Sequence, residues 1–345
     1  MTQPVMLDAL DRRLIHALQI DGRASFSRIA TVLGVPERTV ARRYHRLRSA
    51  LVVRVVGLVD SQRIGMLDWF VRIDCTPDAA DALTTALALR DDTSWIAPLA
   101  GGTRLTCMVR TPAASTDGER PLFDHLLRTQ GIRDVEAGCV LRQVAGVGGW
   151  AGRTSALEES EQAALLGPAP EPPGDPGALG WGEAEARLAG ELARDGRADV
   201  VRLAAVTGWS ASTVRRRIAG LRAAGVLHFE VNVDPSCFGF PLEALLWLEV
   251  APAALGEVTQ ALSRHDAVAF AAVTTGRAAV VAMVLCRDTA ALYDYLADEL
   301  ASLPGIGRME TALIQRRAKR AGPLLVPARA ERLERRAPGQ QRQRR

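Results

Sequence analysis

Lysine is almost missing from this chain. Of the 43 lysine and arginine residues only Lys319 is a lysine, so nearly every positive charge is a guanidinium. A guanidinium is a planar donor that binds phosphate and guanine in a bidentate way, which an ammonium group cannot do. The formal net charge of +4 permits a polyanionic partner without requiring one.

Cysteine and long apolar runs are also scarce. The five cysteines are scattered and include no Cys-x-x-Cys pair, which argues against a disulfide framework and a cysteine-based zinc site. The longest apolar run, residues 278–286, is too short to cross a bilayer. The five histidines stand alone, without ligand spacing or a neighbouring nucleophile. We therefore expect a cytoplasmic protein with no membrane partner, no metal, no cofactor and no catalytic residues.

The chain contains an internal repeat. Residues 11–60 align without a gap on residues 185–234, and about 20 of these positions are identical. The longest identity is Asp21-Gly22-Arg23-Ala24, which recurs as Asp195-Gly196-Arg197-Ala198. The chain is therefore a tandem duplication, and what one copy does is offered twice.

Each copy begins with the pattern of a helix-turn-helix. In the first copy, apolar spacing predicts one helix over residues 7–19 and a second that starts after the N-cap Ser25. Gly34 supplies a sharp turn into a third helix over residues 36–49. The β-rich runs 52–59 and 226–233 then predict one wing strand in each copy.

The third helix of each copy carries arginines on its exposed side. Such a helix can neutralise phosphates and read base edges in the major groove of double-stranded DNA. The predicted DNA-binding residues are Arg38, Thr39, Arg42, Arg43, Arg46, Ser210, Ser212, Thr213, Arg215, Arg216 and Arg217. Because the two helices start differently, with Pro36-Glu37-Arg38 in one and Ser210-Ala211-Ser212 in the other, we expect two different half-sites.

After each helix-turn-helix the pattern becomes strand, helix, strand, strand, helix, strand. This order is that of the ferredoxin-like split βαβ, one antiparallel sheet with helices on one face. The first set lies at 69–75, 78–89, 93–100, 104–110, 121–129 and 135–144, and the second at 244–250, 254–263, 268–274, 278–286, 289–302 and 307–316. The open faces of the two sheets are expected to pair with each other, which would make the chain an internal pseudo-dimer.

The predicted fold class is α+β, with two winged helix-turn-helix domains that alternate with two ferredoxin-like βαββαβ domains. The composition predicts a Gly/Pro-rich linker between the two halves, with a short helix near 155–165, and a basic, disordered tail after the second half. The expected bounds are 1–60 and 181–234 for the winged domains, 66–145 and 240–318 for the αβ domains, 146–180 for the linker and 328–345 for the tail.

The first copy resembles the N-terminal domain of the Lrp/AsnC transcriptional regulators. The resemblance rests on the run 10–23, on Leu33-Gly34-Val35 and on the run 38–43, and the second copy is similar over 194–197 and 207–227. The βαββαβ segments resemble the ligand-sensing and oligomerisation domain of that family. The resemblance therefore covers nearly everything except linker and tail.

The resemblance implies a regulator that forms oligomers and binds an amino acid or a related small-molecule effector between its αβ domains. The family's Gly-x-x-Asp turn falls on residues 101–104 and 276–279, and both copies lack the Asp. The effector-binding residues that it implies are Gly101, Gly102, Arg104, Gly276 and Arg277. The identity of the effector stays open.

Two other functions remain open. The same architecture is similar to the sirohaem decarboxylases, which also occur as fused pairs and need basic residues in the sheet pocket. Here the candidates are Arg72, Arg104 and His265, and they do not recur between the copies. The third alternative is a protein-interaction module without DNA binding, against which the duplicated arginine faces argue.

Overall fold

A computed structural model describes residues 7–99, 101–113, 121–146, 156–166 and 180–322. The tail predicted at 328–345 and most of the linker predicted at 146–180 lie outside these residues. None of the helices in the described part combines the length and apolarity needed to span a bilayer.

The helices and strands alternate as the sequence predicts, and the α+β class is confirmed. In chain order they are α1 (Ala9–Ile20), α2 (Phe26–Leu33), α3 (Glu37–Ser49), β1 (Val53–Val59), β2 (Met66–Cys75), α4 (Pro77–Ala88), β3 (Thr93–Pro98), β4 (Arg104–Pro112), α5 (Pro121–Arg128), β5 (Ile132–Ala145), α6 (Glu159–Leu166), α7 (Glu183–Arg194), α8 (Val200–Thr207), α9 (Ala211–Ala223), β6 (Leu227–Val233), β7 (Leu242–Val250), α10 (Leu255–Leu262), β8 (Val268–Thr274), β9 (Val280–Cys286), α11 (Thr289–Asp294) and β10 (Ile306–Leu313). A π-helical turn, Tyr295–Leu300, continues α11.

The helix-turn-helix units follow from their capping residues and glycines. Ser25 caps α2, and Ser210 caps α9 through its side-chain oxygen. Gly34 and Gly208 end the second helix of each unit with φ angles of 66° and 76°. Because side chains rarely adopt this left-handed conformation, glycine is the residue that lets the third helix follow at once.

The two predicted wing strands form, but each pairs with the other copy. β1 and β6 make an antiparallel two-stranded ribbon in which Val56 lies directly opposite Glu230. These two residues occupy equivalent positions of the repeat, so the pseudo-two-fold axis that relates the copies passes between them. The ribbon thus joins the two helix-turn-helix units into one body.

The strands of the αβ domains form one eight-stranded sheet in the order β10-β7-β9-β8-β5-β2-β4-β3. Its two four-stranded halves face each other, with the rings of Phe70 and Trp247 edge to face at 6.3 Å. β5 and β8 join the halves along one side. On the other side the chain after β10 runs along β3, and the Ala318 N–H donates to the Ile96 carbonyl at 2.9 Å. The sheets therefore close on each other, with their helices outside.

The linker helix α6 covers only the first helix-turn-helix unit. Its Leu165 is fully buried, and Glu161 pairs with Arg13 of α1 at 2.5 Å. His16 of α1 accepts hydrogen bonds at Nδ1 from the backbone N–H groups of Ala156 and Leu157, at 3.1 and 3.2 Å. Because His16 is buried, its pKa is lowered, which keeps the imidazole in the neutral form that these bonds require.

Gly196 sits where the second copy meets the ribbon, and it generates the first prediction. Its N–H donates to the Val55 carbonyl at 2.8 Å, and an added Cβ would lie 2.9 Å from the Val56 carbonyl carbon. We expect Gly196→Ala to lower the free energy of unfolding by about 1–3 kcal/mol, because the ribbon backbone would have to move. Urea denaturation measures this change.

The matched control is Gly190→Ala in the middle of α7, where an added Cβ meets nothing within 4 Å. That substitution should stabilise the protein by about 0.5–1 kcal/mol, as expected for glycine in a helix interior. Equal effects of the two substitutions would contradict the close approach at Gly196.

Candidate nucleic-acid interface

Arg43 and Arg217 occupy equivalent positions of the repeat. Each holds the third helix of its unit, the recognition helix α3 or α9, against the first helix of that unit. Arg43 pairs with Asp8 at 2.6 Å and with Asp11 at 2.9 Å, and Arg217 pairs with Glu185 at 2.6 Å. The hydrogen bond from Arg43 lowers the pKa of the Asp8 carboxyl. Both arginines were predicted to contact DNA. In the structure their guanidiniums pair within the unit and orient the helix, and their contact with DNA stays a prediction.

Four other predicted arginines are free. Arg38 and Arg42 on α3, and Arg215 and Arg216 on α9, are exposed, and within the described residues no hydrogen bond or ion pair engages them. Arg38 and Arg42 stand one turn apart, whereas Arg215 and Arg216 are consecutive. Each recognition helix therefore presents two unpaired guanidiniums.

The remaining predicted residues have mixed surroundings. Thr39 and Thr213 are half-buried at equivalent positions near the helix starts. Ser210 is occupied as the N-cap of α9, with its Oγ accepting from the Thr213 N–H at 3.2 Å, while Ser212 is exposed beside it. Arg46 pairs with Asp11 at 2.5 Å, although half of its side chain is exposed. The second copy has Gly220 at the position equivalent to Arg46, so the surfaces of α3 and α9 also differ near their C-terminal ends.

The repeated Asp-Gly-Arg-Ala segment links the two units rather than binding a ligand. Arg48 pairs with Asp195 at 2.7 Å, and its repeat equivalent Arg222 pairs with Asp21 at 3.2 Å. These two ion pairs are related by the pseudo-two-fold axis. The sequence analysis noted the identity of the segment but not this role.

The arginines of the same segment add a second reciprocal link. Arg23 donates to the carbonyl of Gly196 at 2.7 Å, and Arg197 donates to the carbonyl of Gly22 at 2.7 Å. Both guanidiniums are largely buried, and this burial lowers their pKa. The four-residue identity between the copies was the sequence signal for this contact. Segments at a two-fold axis contact their own equivalents, so both copies need the same residues there.

A cavity of about 1030 Å³ separates the DNA-binding units from the paired sheets. Alternate residues of β6, His228, Glu230 and Asn232, line it from the ribbon side. Glu230 is 8% exposed, and its burial raises the carboxyl pKa from 4.5 to about 7, against an opposing effect of Arg320. The alternation of polar residues along this strand is visible in the sequence. Without knowledge of the partner strand, however, the sequence does not show that these side chains face a cavity.

The residues implied as an effector site lie elsewhere. Gly101, Gly102, Arg104, Gly276 and Arg277 are not among the residues that line the cavity. Arg104 pairs with Asp74 at 2.5 Å and with Glu310 at 2.6 Å, and Arg277 is mostly exposed, 3.4 Å from Glu249. The two turns do have the positive φ angles that glycine allows. Their role in binding an effector stays a prediction.

The basic residues required by the decarboxylase alternative are occupied. Arg72 pairs with Glu136 and with Glu310, and Arg104 shares Glu310 as described. His265 bonds through Nδ1 to the Tyr295 hydroxyl at 3.1 Å, on the helix-covered side of the second sheet. The three side chains do not form one free basic pocket.

Two domain families match the chain. The AsnC-type helix-turn-helix domain matches residues 7–48, and the Lrp/AsnC ligand binding domain matches residues 243–324. An uncharacterised HTH-type transcriptional regulator of Pyrococcus furiosus is 31% identical over 133 residues, which are 38% of this chain and 89% of that protein. The HTH-type transcriptional regulator FL11 of Pyrococcus abyssi is 27% identical over 145 residues, 42% of this chain and 95% of its own length.

Among solved structures, the crystal structure of the siroheme decarboxylase NirDL is similar over 95% of this chain and 98% of its own, with a TM-score of 0.58 and 13% sequence identity. At this identity the similarity establishes a shared fold. It supports the tandem arrangement of two helix-turn-helix and two αβ domains in one chain.

The buried Glu230 carboxyl generates a stability prediction. Its folded pKa of about 7 exceeds the usual 4.5, so ionisation costs the folded state stability as the pH rises between these values. Glu230→Gln should therefore stabilise the protein at pH 8 by up to about 3 kcal/mol, and by little near pH 4.5, where the acid is protonated in the folded state and only half ionised in the unfolded state. Denaturation midpoints at the two pH values test this.

Glu257→Gln provides the control, because Glu257 is an exposed carboxylate on α10. It should change the stability little at either pH. A gain from Glu230→Gln that is the same at both pH values would show that the Glu230 carboxyl is not buried as an acid with a raised pKa.

Proposed function

The chain belongs to the Lrp/AsnC family of transcriptional regulators, and from this premise we propose that it is a sequence-specific DNA-binding regulator with two unequal recognition helices. The observation that carries the proposal is the division of the arginines on α3 and α9. Arg43 on α3 and Arg217 on α9 are fixed to the first helix of their unit, as Arg46 is on α3. Two other arginines on each helix are exposed and unpaired among the described residues.

Free guanidiniums on a positioned helix are suited to DNA for two reasons. They are always charged, so they neutralise phosphates at any physiological pH. Arg43 and Arg217 restrain the helices that carry them, so less freedom is lost on binding. A helix that served only as scaffold would not need two unpaired arginines in each copy.

The internal pairing sets how the two helices meet a duplex. The β1–β6 ribbon and the reciprocal Arg48–Asp195 and Arg222–Asp21 pairs hold both units in one arrangement. A homodimer presents the same helix twice and suits a palindrome. Here the two helices differ, because the repeat equivalent of Arg38 in the first helix is Ser212 in the second. We therefore propose an operator with two unlike half-sites.

Small-molecule control and further assembly belong to the same proposal. The cavity between the DNA-binding units and the sheets is large enough for a metabolite, and the αβ domains are of the type named for ligand binding. We propose that an effector modulates DNA binding and that the chain forms homo-oligomers beyond its internal pair. The decarboxylase alternative receives support from fold similarity alone, and a change in the absorption of added sirohaem would revive it.

Arg216 and Arg217 are neighbours with opposite expected roles. Arg216→Ala should weaken binding to the DNA upstream of the protein's own gene by about 1–3 kcal/mol if Arg216 contacts a base. If Arg216 contacts phosphate, the substitution should lower the slope of log affinity against log salt concentration by about one. It should leave the melting temperature unchanged because Arg216 has no intramolecular partner in the described residues. Arg217→Ala should lower the melting temperature, because it leaves the largely buried Glu185 without its partner.

The control is Arg187→Ala on α7, an exposed arginine paired with Glu183 within one helix. It should alter neither DNA affinity nor salt dependence. If Arg216→Ala behaves like Arg187→Ala in fluorescence anisotropy titrations at several salt concentrations, α9 does not bind DNA as proposed.

Arg38 tests the asymmetry of the operator. Arg38→Ser gives the first helix the residue that the second has at Ser212, so protection should weaken at one half-site and persist at the other. Footprinting of the wild type and the variant on one operator measures this. Equal loss at both half-sites would contradict the assignment of one helix to each half-site.

A further inference from the structure

Glu230 is a buried acid without a partner. It lies on the pseudo-two-fold axis opposite Val56, it is 8% exposed, and it lines the cavity below the ribbon. No hydrogen bond or ion pair to its carboxyl occurs among the described residues, although the charge of Arg320 acts on it. A buried carboxyl costs free energy unless something satisfies it, so this group is available to a ligand.

The other acids that line the cavity and carry ion pairs are already satisfied. Glu243 pairs with Arg317 at 2.6 Å and lies 3.5 Å from Arg320. Asp68 pairs with Arg110 at 3.0 Å. Arg110 and Arg317 are therefore engaged. Arg142, Arg194 and Asp91 also line the cavity without an ion pair among the described residues, but they are exposed, so Glu230 is the buried acid of the lining that lacks one.

The walls of the cavity suit an aromatic or bulky apolar body. Phe70 and Phe270 contribute rings, and Met108 and Met283 contribute polarisable thioethers. Trp95 also lines the cavity, at a bulge of β3 with the strained φ of 52°. Strain of this kind persists where the surrounding structure enforces it, often at binding sites.

We propose that this cavity binds a lipophilic organic cation, a protonated amine or an onium ion with an aromatic body, whose charge pairs with the Glu230 carboxylate. Aromatic faces and thioethers stabilise such a cation by cation–π attraction and dispersion. An organic anion would meet Glu230 as a like charge. The proposal goes beyond DNA binding, because none of the residues predicted to contact DNA lines the cavity.

Binding should depend on pH. The charged or titratable groups around Glu230 are Arg54 on β1, His228 on its own strand, Glu243 on β7, and Arg317 and Arg320 after β10. Burial lowers the pKa of His228, so this side chain is neutral near pH 7. Glu230 is then the group in this set that changes charge between pH 6 and pH 8.

The probe is tetraphenylphosphonium, with tetraphenylborate as an anion of the same shape. Isothermal titration calorimetry with the full chain, without DNA, should show binding of the phosphonium and none of the borate. Affinity for the phosphonium should rise about tenfold from pH 6 to pH 8, the change in ionised fraction of an acid with a pKa near 7.

Glu230→Gln should weaken phosphonium binding at pH 8 at least tenfold and remove its pH dependence. Asp91→Asn is the matched control, because Asp91 is an exposed carboxylate at the rim of the same cavity. It should bind the phosphonium like the wild type. Circular dichroism and operator binding by Glu230→Gln establish that this variant is folded.

Three results would overturn the proposal: no phosphonium binding by the wild type, borate binding as tight as phosphonium binding, or unchanged affinity in Glu230→Gln. These outcomes are independent of the DNA-binding function. A chain that binds the phosphonium but no operator would contradict the proposed regulator and support the cation site. A chain that binds an operator but no phosphonium would support the regulator and contradict the cation site.

Discussion

The antiparallel pairing of β1 with β6 is the contact on which the rest of the molecule depends. It places equivalent residues of the two copies opposite each other and so creates the pseudo-two-fold axis. The reciprocal pairs of Asp21 with Arg222 and Asp195 with Arg48 follow from that axis. A two-stranded ribbon alone is marginal in water; the helix-turn-helix cores on one side and the sheets on the other give it the burial that it needs.

Local patterns were sufficient to predict most elements. Apolar spacing, capping residues and the glycine turns predicted the helices α1–α3 to within about two residues. The repeat implied their equivalents α7–α9 without bounds, and the strand order predicted both αβ domains. The partners of the wing strands were not predictable in this way. Whether a strand pairs with its own hairpin or with another copy is decided by contacts between residues 168 to 180 positions apart, which no local period records.

The same limit applies to the interface. The sequence of the third helices predicted arginines on their outer sides, and Arg38, Arg42, Arg215 and Arg216 are exposed there. It did not predict that Arg43 and Arg217 turn back to acids of the first helix. Asp11 is an acid in the first turn of α1, where it complements the helix dipole and forms a capping box with Asp8. It also pairs with Arg43. One carboxylate thus serves a cap and an ion pair, and the second role depends on how the helices cross.

Fusion of the two copies permits what a homodimer cannot have. On the axis of a homodimer, Glu230 would face a second Glu230, and two buried carboxylates in contact would repel each other. In the fused chain the opposing residue is Val56, so a single acid can occupy the axis and face the cavity. The same freedom allows α6 to cover one helix-turn-helix unit and not the other, and lets the two recognition helices differ. The asymmetry of the linker contact and of the cavity, and the asymmetry that we propose for the operator, therefore have one physical origin. The covalent link lets two related halves diverge while their shared contacts keep them paired.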